Sequence, residues 1–475
     1  METLPQPAPN VAPHDAPYRP EPAILALGEA FYDPVQAADF PQTILRFRND
    51  RWAPAVGLGQ YSDDAWLGHF GRFAPLPDNL AAPLALRYHG HQFRVYNPDI
   101  GDGRGFLFAQ MRDGAGRLLD LGTKGSGQTP YSRFGDGRLT LKGGVREVLA
   151  TEMLEALGVN TSKTFSLIET GEALERNDEP SPTRSAVMVR LSHGHIRIGS
   201  FQRLATLDQT DNIRKLTAYC LRHFFGDPDG EREDAPVRLL GHVAAGTARL
   251  AAAYIAAGFV HGVLNSDNIA ITAESFDYGP WRWTPFWNGH FTAAYFDHAG
   301  LYSFGRQPEA IHWDLVQLAL SLRGLAPAEA LTPVLETFPN RFQAALRDAL
   351  FARLGIVPTE MARDMALIST IEQGLAKQSV EIDRFFFDWR SGALRGATPA
   401  AEYDDETFAE FRTLIARRQP IAGALDHPYW SDEAPCTMHI DEVEAIWSRI
   451  DTEDDWSALE AKVEAVRRMG EALNP

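Results

Sequence analysis

Short apolar or alternating runs along the chain have the pattern of strands. The runs FLFAQM and LLDLGTK flank Asp113-Gly114, a dipeptide typical of tight hairpins. The pattern predicts two antiparallel strands here, with Lys124 at the end of the second. A third strand is predicted for SAVMVRL, residues 185–191.

Apolar residues recur at helical spacing in four longer stretches. KGGVREVLATEMLEAL, residues 142–157, is predicted to be a helix that ends at Gly158 and carries Glu147 near its start. An alanine-rich stretch before Gly258 and the stretch EAIHWDLVQLALSL predict two more helices. A terminal helix is predicted from the apolar stripe Trp456, Leu459, Val463, Val466 and Met469.

The net charge and the cysteine content limit the kinds of partner and the cellular compartment that can be expected for this chain. The chain has 475 residues and a formal charge of −18, which argues against binding to the phosphate backbone of nucleic acids. It has only two cysteines, Cys220 and Cys436, so a reducing compartment is expected. No apolar run approaches the roughly 18 to 20 residues that span a bilayer, and the Pro-rich N-terminus has no secretory signal. We therefore expect a cytoplasmic protein without a nucleic-acid or membrane partner.

The stretch HGVLNSDNIAITAESFDYG has the spacing of a kinase catalytic loop. In kinase-type phosphotransferases, His-x-Asp-x-x-x-x-Asn and a later Asp-Phe-Gly supply a proton acceptor and two metal ligands. His261 and Asn268 keep this spacing, and Asp277 begins an Asp-Tyr-Gly sequence in place of Asp-Phe-Gly. Amide and carboxylate oxygens are ligands that Mg²⁺ prefers, so Asn268 and Asp277 are predicted to hold a metal.

Val263 occupies the position of the usual proton acceptor. A positioned general base contributes about 10² to 10⁴-fold to a rate, whereas phosphoryl transfer depends mainly on positioning and metal charge. The loss of this Asp therefore need not abolish the chemistry. Asp267, beside Asn268, is either a relocated base or a group that orients a metal-bound water.

Two glycine-rich turns are candidate phosphate sites. In GDGRG, Gly101 and Gly103 would let the backbone approach phosphate oxygens, and Arg104 would add a charged fork. FGDGR places Asp136 and Gly137 between the predicted lysine strand and the glutamate helix. Each turn taken alone could be an ordinary hairpin.

Four charged residues could complete such a site. Kinases pair a strand lysine with a helix glutamate against the nucleotide phosphates, and Lys124 and Glu147 occupy such elements. In isolation, a surface ion pair worth about 0 to 1 kcal/mol is the simpler interpretation of these two residues. Arg190 and Arg197 suit a polyphosphate but could equally be structural. The order of glycine turn, lysine, glutamate helix, long helix and metal loop favours a nucleotide site.

Histidines alternate at His89 and His91, and again at His193 and His195. Without a third ligand nearby, such histidines pack or form hydrogen bonds more often than they bind zinc. No zinc site is predicted.

Seven longer runs resemble the selenoprotein O family of kinase-fold proteins: YHGHQF, YNPDIGDGRG, KGSGQTPYSRFGDGR, GVREVLATEMLEALGV, HGVLNSDNI, FDYGP and GLYSFGRQPEAIHWDL. The resemblance covers approximately residues 85–325. It implies a protein adenylyltransferase that binds ATP in an inverted orientation, with Mg²⁺ or Mn²⁺. Such an enzyme transfers AMP to hydroxyl side chains of proteins and releases pyrophosphate.

The resemblance also implies a role for each candidate residue. Asp267 would be the proton acceptor, Asn268 and Asp277 would hold the metal, and Glu147 would pair with Lys124. The nucleotide would be bound by Gly101, Gly103, Arg104, Lys124, Asp136, Gly137, Glu147, Arg190, Arg197 and Asp277.

The chain departs from the family at its C-terminus. Family members commonly carry a redox-active cysteine or selenocysteine there, whereas this chain ends MGEALNP and its last cysteine is Cys436. The family's usual terminal disulfide is therefore not expected. A bridge between Cys220 and Cys436 is the pairing that remains to be tested.

We expect an α+β, bilobal protein-kinase-like fold with additional N- and C-terminal, mainly helical elements. The predicted order is a flexible Pro-rich leader (1–22), an N-terminal cap region (23–84), a kinase-like N-lobe with nucleotide-binding loops (85–205), a kinase-like C-lobe with catalytic and metal loops (206–330) and a helical C-terminal region (331–475). A monomeric enzyme is expected. The alternatives are a kinase that transfers the γ-phosphate and a catalytically silent ATP-binding scaffold.

Overall fold

The computed structural model describes residues 15–177, 179–396 and 402–474. It shows a mixed α/β protein in which the sheet is built before residue 193 and most helices follow it. Of the predicted leader, residues 1–14 lie outside the described residues. Residues 15–22 are attached to the sheet, where the Glu21 N–H donates to the Gln110 carbonyl. The flexible assignment is therefore wrong for residues 15–22.

The first half of the chain contains an antiparallel sheet of eight strands. Seven strands follow the order β1-β3-β6-β7-β10-β9-β2, and β8 pairs with β10. Two short antiparallel pairs, the β4-β5 hairpin and the β11-β12 pair, lie outside it. The strands are β1 (Tyr32–Pro34), β2 (Ile44–Arg48), β3 (Leu84–Leu86), β4 (Gly90–Gln92), β5 (Val95–Asn97), β6 (Leu107–Arg112), β7 (Leu118–Lys124), β8 (Leu139–Thr140), β9 (Lys163–Leu174), β10 (Thr183–Ser192), β11 (Phe259–Val260) and β12 (Arg282–Trp283).

The helices pack on the sheet and on one another. Helix α2 contacts β9 and β10, and α5 packs against α6 and α8. The α-helices are α1 (Asp63–Phe70), α2 (Leu141–Ala156), α3 (Ile198–Thr206), α4 (Thr210–Phe225), α5 (Ala235–Ala257), α6 (Gln307–Ser321), α7 (Ala328–Glu336), α8 (Phe338–Leu354), α9 (Met361–Leu375), α10 (Ile382–Asp388), α11 (Ala409–Ile415), α12 (Ile440–Glu453) and α13 (Ser457–Leu473).

Local signals explain the elements that carry the site. The Asp113 carboxylate accepts hydrogen bonds from the N–H groups of Ala115 and Arg117 and closes the β6-β7 hairpin. The Thr140 hydroxyl accepts from Gly143 N–H and caps α2. The strands predicted at β6, β7 and β10 and the helices predicted at α2, α5, α6 and α13 are all confirmed.

The prediction of mainly helical additions is confirmed at the C-terminus and wrong at the N-terminus. Residues 331–475 contain helices α8 to α13 and most of α7. Residues 23–84 contain one α-helix, α1, but they also supply β1, β2 and the first residue of β3 to the main sheet. These strands have only three to five residues, which is too short for a period of two to stand out in the sequence.

Helix α5 is the one described helix that is long and apolar enough to cross a bilayer. Within the protein, 72% of its most apolar window is buried, because α4, α6, α7 and α8 pack around it. This is the environment of a core helix. Its C-terminal end at Gly258, which has φ 68°, leads directly into β11 and the loop from His261.

Sheet register brings two of the predicted cations together. Strand β7 pairs with β10 so that Lys124 lies opposite Met188 and Gly122 lies opposite Arg190. Residues two apart in a strand share a face, so Lys124 and Arg190 project from the same face of the sheet.

Candidate active site

A cavity of about 770 Å³ lies where the glycine-rich turns meet the segment after α5. Small-molecule and cofactor sites occupy roughly 300 to 1,000 Å³. Ten of the predicted site residues line it: Gly101, Gly103, Arg104, Lys124, Asp136, Gly137, Arg190, Arg197, Asp267 and Asp277. The other two, Glu147 and Asn268, are not among the described residues that form its wall.

Lys124 and Glu147 form a buried ion pair. The Lys124 Nζ lies 2.7 Å from Glu147 Oε2, and the two side chains are 5% and 1% exposed. The alternative of a surface pair is therefore wrong. Removing either partner would leave an uncompensated buried charge, so the pair should stay formed. Glu147 thereby holds the Lys124 ammonium in place without itself being part of the described cavity wall.

Asp277 sits among three cations. Its carboxylate lies 3.1 Å from Lys124, 3.6 Å from Arg190 and 3.9 Å from Arg197. Burial by itself would raise the pKa of Asp277, but Lys124 and the two arginines hold it well below its usual value. Its backbone has φ 63°, a conformation that non-glycine residues rarely adopt and that often occurs at functional sites.

The two arginines have unused donors. Arg190 Nε and Nη1 and Arg197 Nε are buried and have no hydrogen-bond partner among the described residues. The Arg197 guanidinium is held over the rings of Tyr88 and Phe276, at 4.2 and 4.8 Å from their centroids. A buried donor without a partner is costly, and a phosphate oxygen is the acceptor that a guanidinium matches best.

Asp267 has a different environment. It is 6% exposed, and its Oδ1 has no partner among the described residues. Burial raises the pKa of Asp267 to about 6, although Arg197 opposes the shift. The Arg197 Nη1 donates to the Asp267 carbonyl at 2.9 Å. A buried carboxylate whose pKa is raised, in a residue that lines the cavity, can accept a proton.

A hydrogen bond connects Asn268 to Val263 at the turn beside Asp267. The Asn268 Nδ2 donates to the Val263 carbonyl at 2.8 Å, so the amide oxygen is the atom left to act as a ligand. The role of Asn268 in metal binding stays a prediction. Val263 is absent from the described cavity wall, whereas Asp267 is part of it.

The fold itself requires glycine at positions 101 and 103, because Tyr131 packs against both. A Cβ on Gly101 would lie 2.5 Å from the Tyr131 ring, and one on Gly103 would lie 3.0 Å from the Tyr131 carbonyl. The Ser132 hydroxyl also donates to the Gly103 carbonyl. The loop that carries Asp136 is therefore bonded to the first glycine turn, and phosphate approach is not the sole reason for these glycines.

Asp136 is paired at the outer part of the cavity. Arg176 donates to both of its carboxylate oxygens at 2.9 and 3.1 Å, and the Arg138 N–H donates to Oδ1. Burial opposes the shift, but these donors lower the pKa of Asp136. Arg176 also lines the cavity and was missed from the sequence, because nothing local distinguishes it from a surface arginine.

A family model described as protein adenylyltransferase SelO matches residues 16–467. The chain belongs to the SelO family. The relative named protein nucleotidyltransferase YdiU from Synechocystis sp. is 41% identical over 474 residues, which cover 94% of this chain and 97% of the relative. The YdiU protein of Gloeobacter violaceus is 43% identical over 455 residues, with 92% of each chain covered. That of Vibrio cholerae is 34% identical over 362 residues, 76% of this chain and 72% of the relative.

Family membership makes the chain a nucleotidyltransferase. ATP is the substrate that adenylyl transfer implies. The resemblance found from seven sequence runs is confirmed, and it extends well beyond residues 85–325.

One part of this SelO-family site was missed by sequence reasoning, the β4-β5 hairpin. Its Gln92 lines the cavity, and the hairpin lies against the loop of Asp267. The available signal is the run YHGHQF, which resembles the family but carries no pattern that marks Gln92 as a site residue. The predicted hydrogen-bonding role of its histidines is confirmed for His89, which contacts the Tyr96 hydroxyl at 2.7 Å, and for His91, which contacts Gln202 at 2.7 Å.

Cys220 and Cys436 are both free thiols. Cys220 is fully buried in α4, and burial raises the pKa of its thiol well above the usual value. The bridge that the sequence left open is not formed in this structure.

Proposed function

We propose that this SelO-family chain transfers AMP from ATP to Ser, Thr or Tyr hydroxyls of proteins and releases pyrophosphate. The observation that carries the proposal is a buried cluster of cations with unused donors, in the same cavity as a buried carboxylate whose pKa is raised. The first feature suits a polyphosphate, and the second suits a proton acceptor.

The proposal includes a two-lobed kinase-like fold. It is supported by the chain order of the Lys124 strand, the Glu147 helix, the long helix α5 and the loop from His261 to Asp277, which is the order of these parts in kinases. The antiparallel sheet would belong to the first lobe and the helices after α3 to the second.

The nucleotide would bind with its terminal phosphates deepest. Lys124, Arg190 and Arg197 are each at most 5% exposed, so phosphates that reach them are removed from solvent. The α-phosphate would then lie toward the open side of the cavity, where a protein hydroxyl can approach. The second glycine turn, with Asp136 and Gly137, would contact the remainder of the nucleotide.

Asp277 and Asn268 would hold Mg²⁺ or Mn²⁺. The donors fit, because one is a carboxylate kept ionised by its neighbours and the other is an amide whose nitrogen is already engaged. Mg²⁺ usually takes one or two protein groups and completes its shell with phosphates and water. The bound cation would neutralise charge on the phosphates during transfer.

Asp267 would accept the proton of the acceptor hydroxyl on its carboxylate. The hydroxyl oxygen forms a bond to the α-phosphorus while the bond from that phosphorus to pyrophosphate breaks. Arg197 holds the backbone of Asp267 and also faces Asp277, so one side chain links the proton acceptor to the phosphate end of the site. A carboxylate four residues after Val263 would thus replace the usual base.

The proposed partners are ATP and proteins with accessible hydroxyl side chains. Net charge −18 favours protein over nucleic acid as the acceptor. The two free thiols suit a cytoplasmic location, and a monomer is the proposed state.

Incubation with α-³²P-ATP and, separately, γ-³²P-ATP tests the proposal. The purified chain is mixed with a bacterial lysate and Mg²⁺ or Mn²⁺, and proteins are separated on a denaturing gel. Label transferred only from the α-position is the expected result. Label from the γ-position would establish a kinase, and ATP binding without transfer of either label would establish a scaffold.

A further inference from the structure

The β4-β5 hairpin is bonded to the loop that carries Asp267. The His91 N–H donates to the Ser266 hydroxyl at 2.7 Å, and the Phe93 N–H donates to Asn265 Oδ1 at 3.0 Å. Both donors belong to the hairpin backbone. The hairpin therefore keeps its place on this loop whatever side chain stands at position 92.

The approach of the two segments is close. A Cβ on Gly90 would lie 2.9 Å from the Asp267 Cβ and 3.2 Å from its backbone nitrogen. The two turn residues, Phe93 and Arg94, have φ values of 50° and 62°. A type I′ hairpin turn needs φ above zero at both central positions, which Asn and Gly usually supply. The chain therefore keeps this tight hairpin in spite of an unfavourable turn sequence.

Gln92 projects from this hairpin into the cavity. The Asn97 Nδ2 donates to Gln92 Oε1 at 3.0 Å, and the Gln92 Nε2 lies 3.4 Å from Asp267 Oδ2. Because Asn97 occupies the amide oxygen, the amide nitrogen of Gln92 faces Asp267. The distance of 3.4 Å is long for a hydrogen bond, as is common for catalytic contacts without bound substrate.

The two oxygens of Asp267 are thereby made different. Oδ2 faces the Gln92 amide, whereas Oδ1 is buried without a partner among the described residues and lies 3.1 Å from where a Cβ on Gly90 would stand. A carboxylate confined in this way at both oxygens rotates less and keeps a constant direction. Effective proton transfer requires that direction to match the acceptor hydroxyl.

We propose that Gln92 is a positioning residue that holds the Asp267 carboxylate toward the acceptor hydroxyl through its contact with Oδ2, with Asn97 fixing the orientation of the Gln92 amide. This inference rests on the proposed role of Asp267 as proton acceptor. Gln92 itself gains and loses no proton in the step. Its contribution is to the rate of transfer and not to the binding of ATP.

Gln92→Met tests the inference, because it keeps the length of the side chain and removes the amide. Initial rates of label transfer from α-³²P-ATP to a fixed amount of lysate protein are measured over a range of ATP concentrations. We expect kcat to fall about 10- to 100-fold, the scale of a misplaced reacting group, while KM for ATP changes less than about twofold. Gln373→Met, on the exposed surface of α9, is the matched control and should change neither value.

Asn97→Ala supplies a second, independent variant. It should lower kcat several-fold in the natural chain and have no further effect in Gln92→Met, because its action passes through the Gln92 amide. A purely structural role of the hairpin would instead lower the melting temperature and leave the two substitutions additive. Additive effects, or kcat of Gln92→Met within twofold of the natural chain, would overturn the inference.

Asp267→Asn, measured in the same assay, separates this inference from the proposed function. If Asp267→Asn is strongly impaired and Gln92→Met is not, only the positioning role fails. If Asp267→Asn keeps full activity, the assignment of the proton acceptor fails, and the positioning role fails with it.

Discussion

Asp277 and Asp267 face the same cavity, but their surroundings give them different properties. Asp277 is flanked by Lys124 and two arginines, which lower its pKa despite burial. Asp267 has one arginine near it and is otherwise buried, so its pKa rises to about 6. One carboxylate is thereby kept as an anion that can bind a cation, and the other is suited to accept a proton.

The two residues are also held by different means. Asp277 belongs to a segment whose next residue, Tyr278, is buried and bonded to Ser275 at 2.7 Å. Asp267 is held from outside its segment, by the Arg197 side chain and the β4-β5 hairpin. Substitutions of the two carboxylates should therefore have distinct effects on ATP binding and on transfer.

The largest effect is expected at Asp277. Asp277→Asn should lower AMP transfer about 10³-fold or more, because it removes a metal ligand and the counter-charge of three cations. Binding of Mn²⁺ with ATP should be lost together with transfer, while the circular dichroism spectrum stays unchanged. Asp211→Asn, at a side chain that is 97% exposed, is the control. Transfer within tenfold of the natural chain would contradict the assignment of Asp277.

Asp267→Asn is expected to have the second-largest effect. It should slow transfer roughly 10²-fold or more, the contribution of a positioned base, and leave the affinity for ATP unchanged. Equilibrium dialysis with α-³²P-ATP, alongside the transfer assay, checks both parts. A loss of ATP affinity equal to the loss of rate would remove the distinction between the two carboxylates.

Gly90→Ala tests the contact between the β4-β5 hairpin and Asp267 without altering any polar side chain. The added Cβ would lie 2.9 Å from the Asp267 side chain, so we expect transfer to fall about tenfold and stability to fall by about 1 to 3 kcal/mol. Urea unfolding and the transfer assay measure the two effects. Gly241→Ala in α5, where an added Cβ meets nothing within 4 Å, should instead raise stability by up to about 1 kcal/mol. Similar results for both variants would exclude a special role for the Gly90 contact.

Asp314 extends the comparison to a carboxylate that forms no ion pair with the described residues, and its effect should appear in stability alone. It is 1% exposed, and neither oxygen has a hydrogen-bond partner among the described residues. Burial and, to a lesser degree, Asp267 raise the pKa of Asp314 well above its usual value, against the opposing effect of Arg94. The folded chain therefore keeps a proton that the unfolded chain releases above pH about 4, so this contribution to stability is present at low pH and lost as the pH rises.

Asp314→Asn should remove that part of the pH dependence. The free energy of unfolding, measured with urea at pH 5 and pH 8, should fall less in the variant than in the natural chain. The exposed substitution Asp211→Asn should leave the fall unchanged. An equal fall in Asp314→Asn and the natural chain would show that Asp314 does not titrate in this range.

Neighbouring residues along the chain encode the local elements and the chemical types at the site. Strand β7 with Lys124, helix α2 with Glu147 and the loop from His261 to Asp277 were predictable, since each is encoded by neighbouring residues. The family was also predictable, because its motifs are long runs of consecutive residues.

Contacts between distant segments set which of these residues share an environment. Gln92 and Asp267 are 175 residues apart, and the strands before residue 85 are too short to be detected by their period. The burial of Lys124 with Glu147, the difference in pKa between Asp277 and Asp267, and the packing of Tyr131 on Gly101 all depend on distances between separate segments. Such distances follow from packing of the whole chain, and no local pattern of apolar and polar residues encodes them.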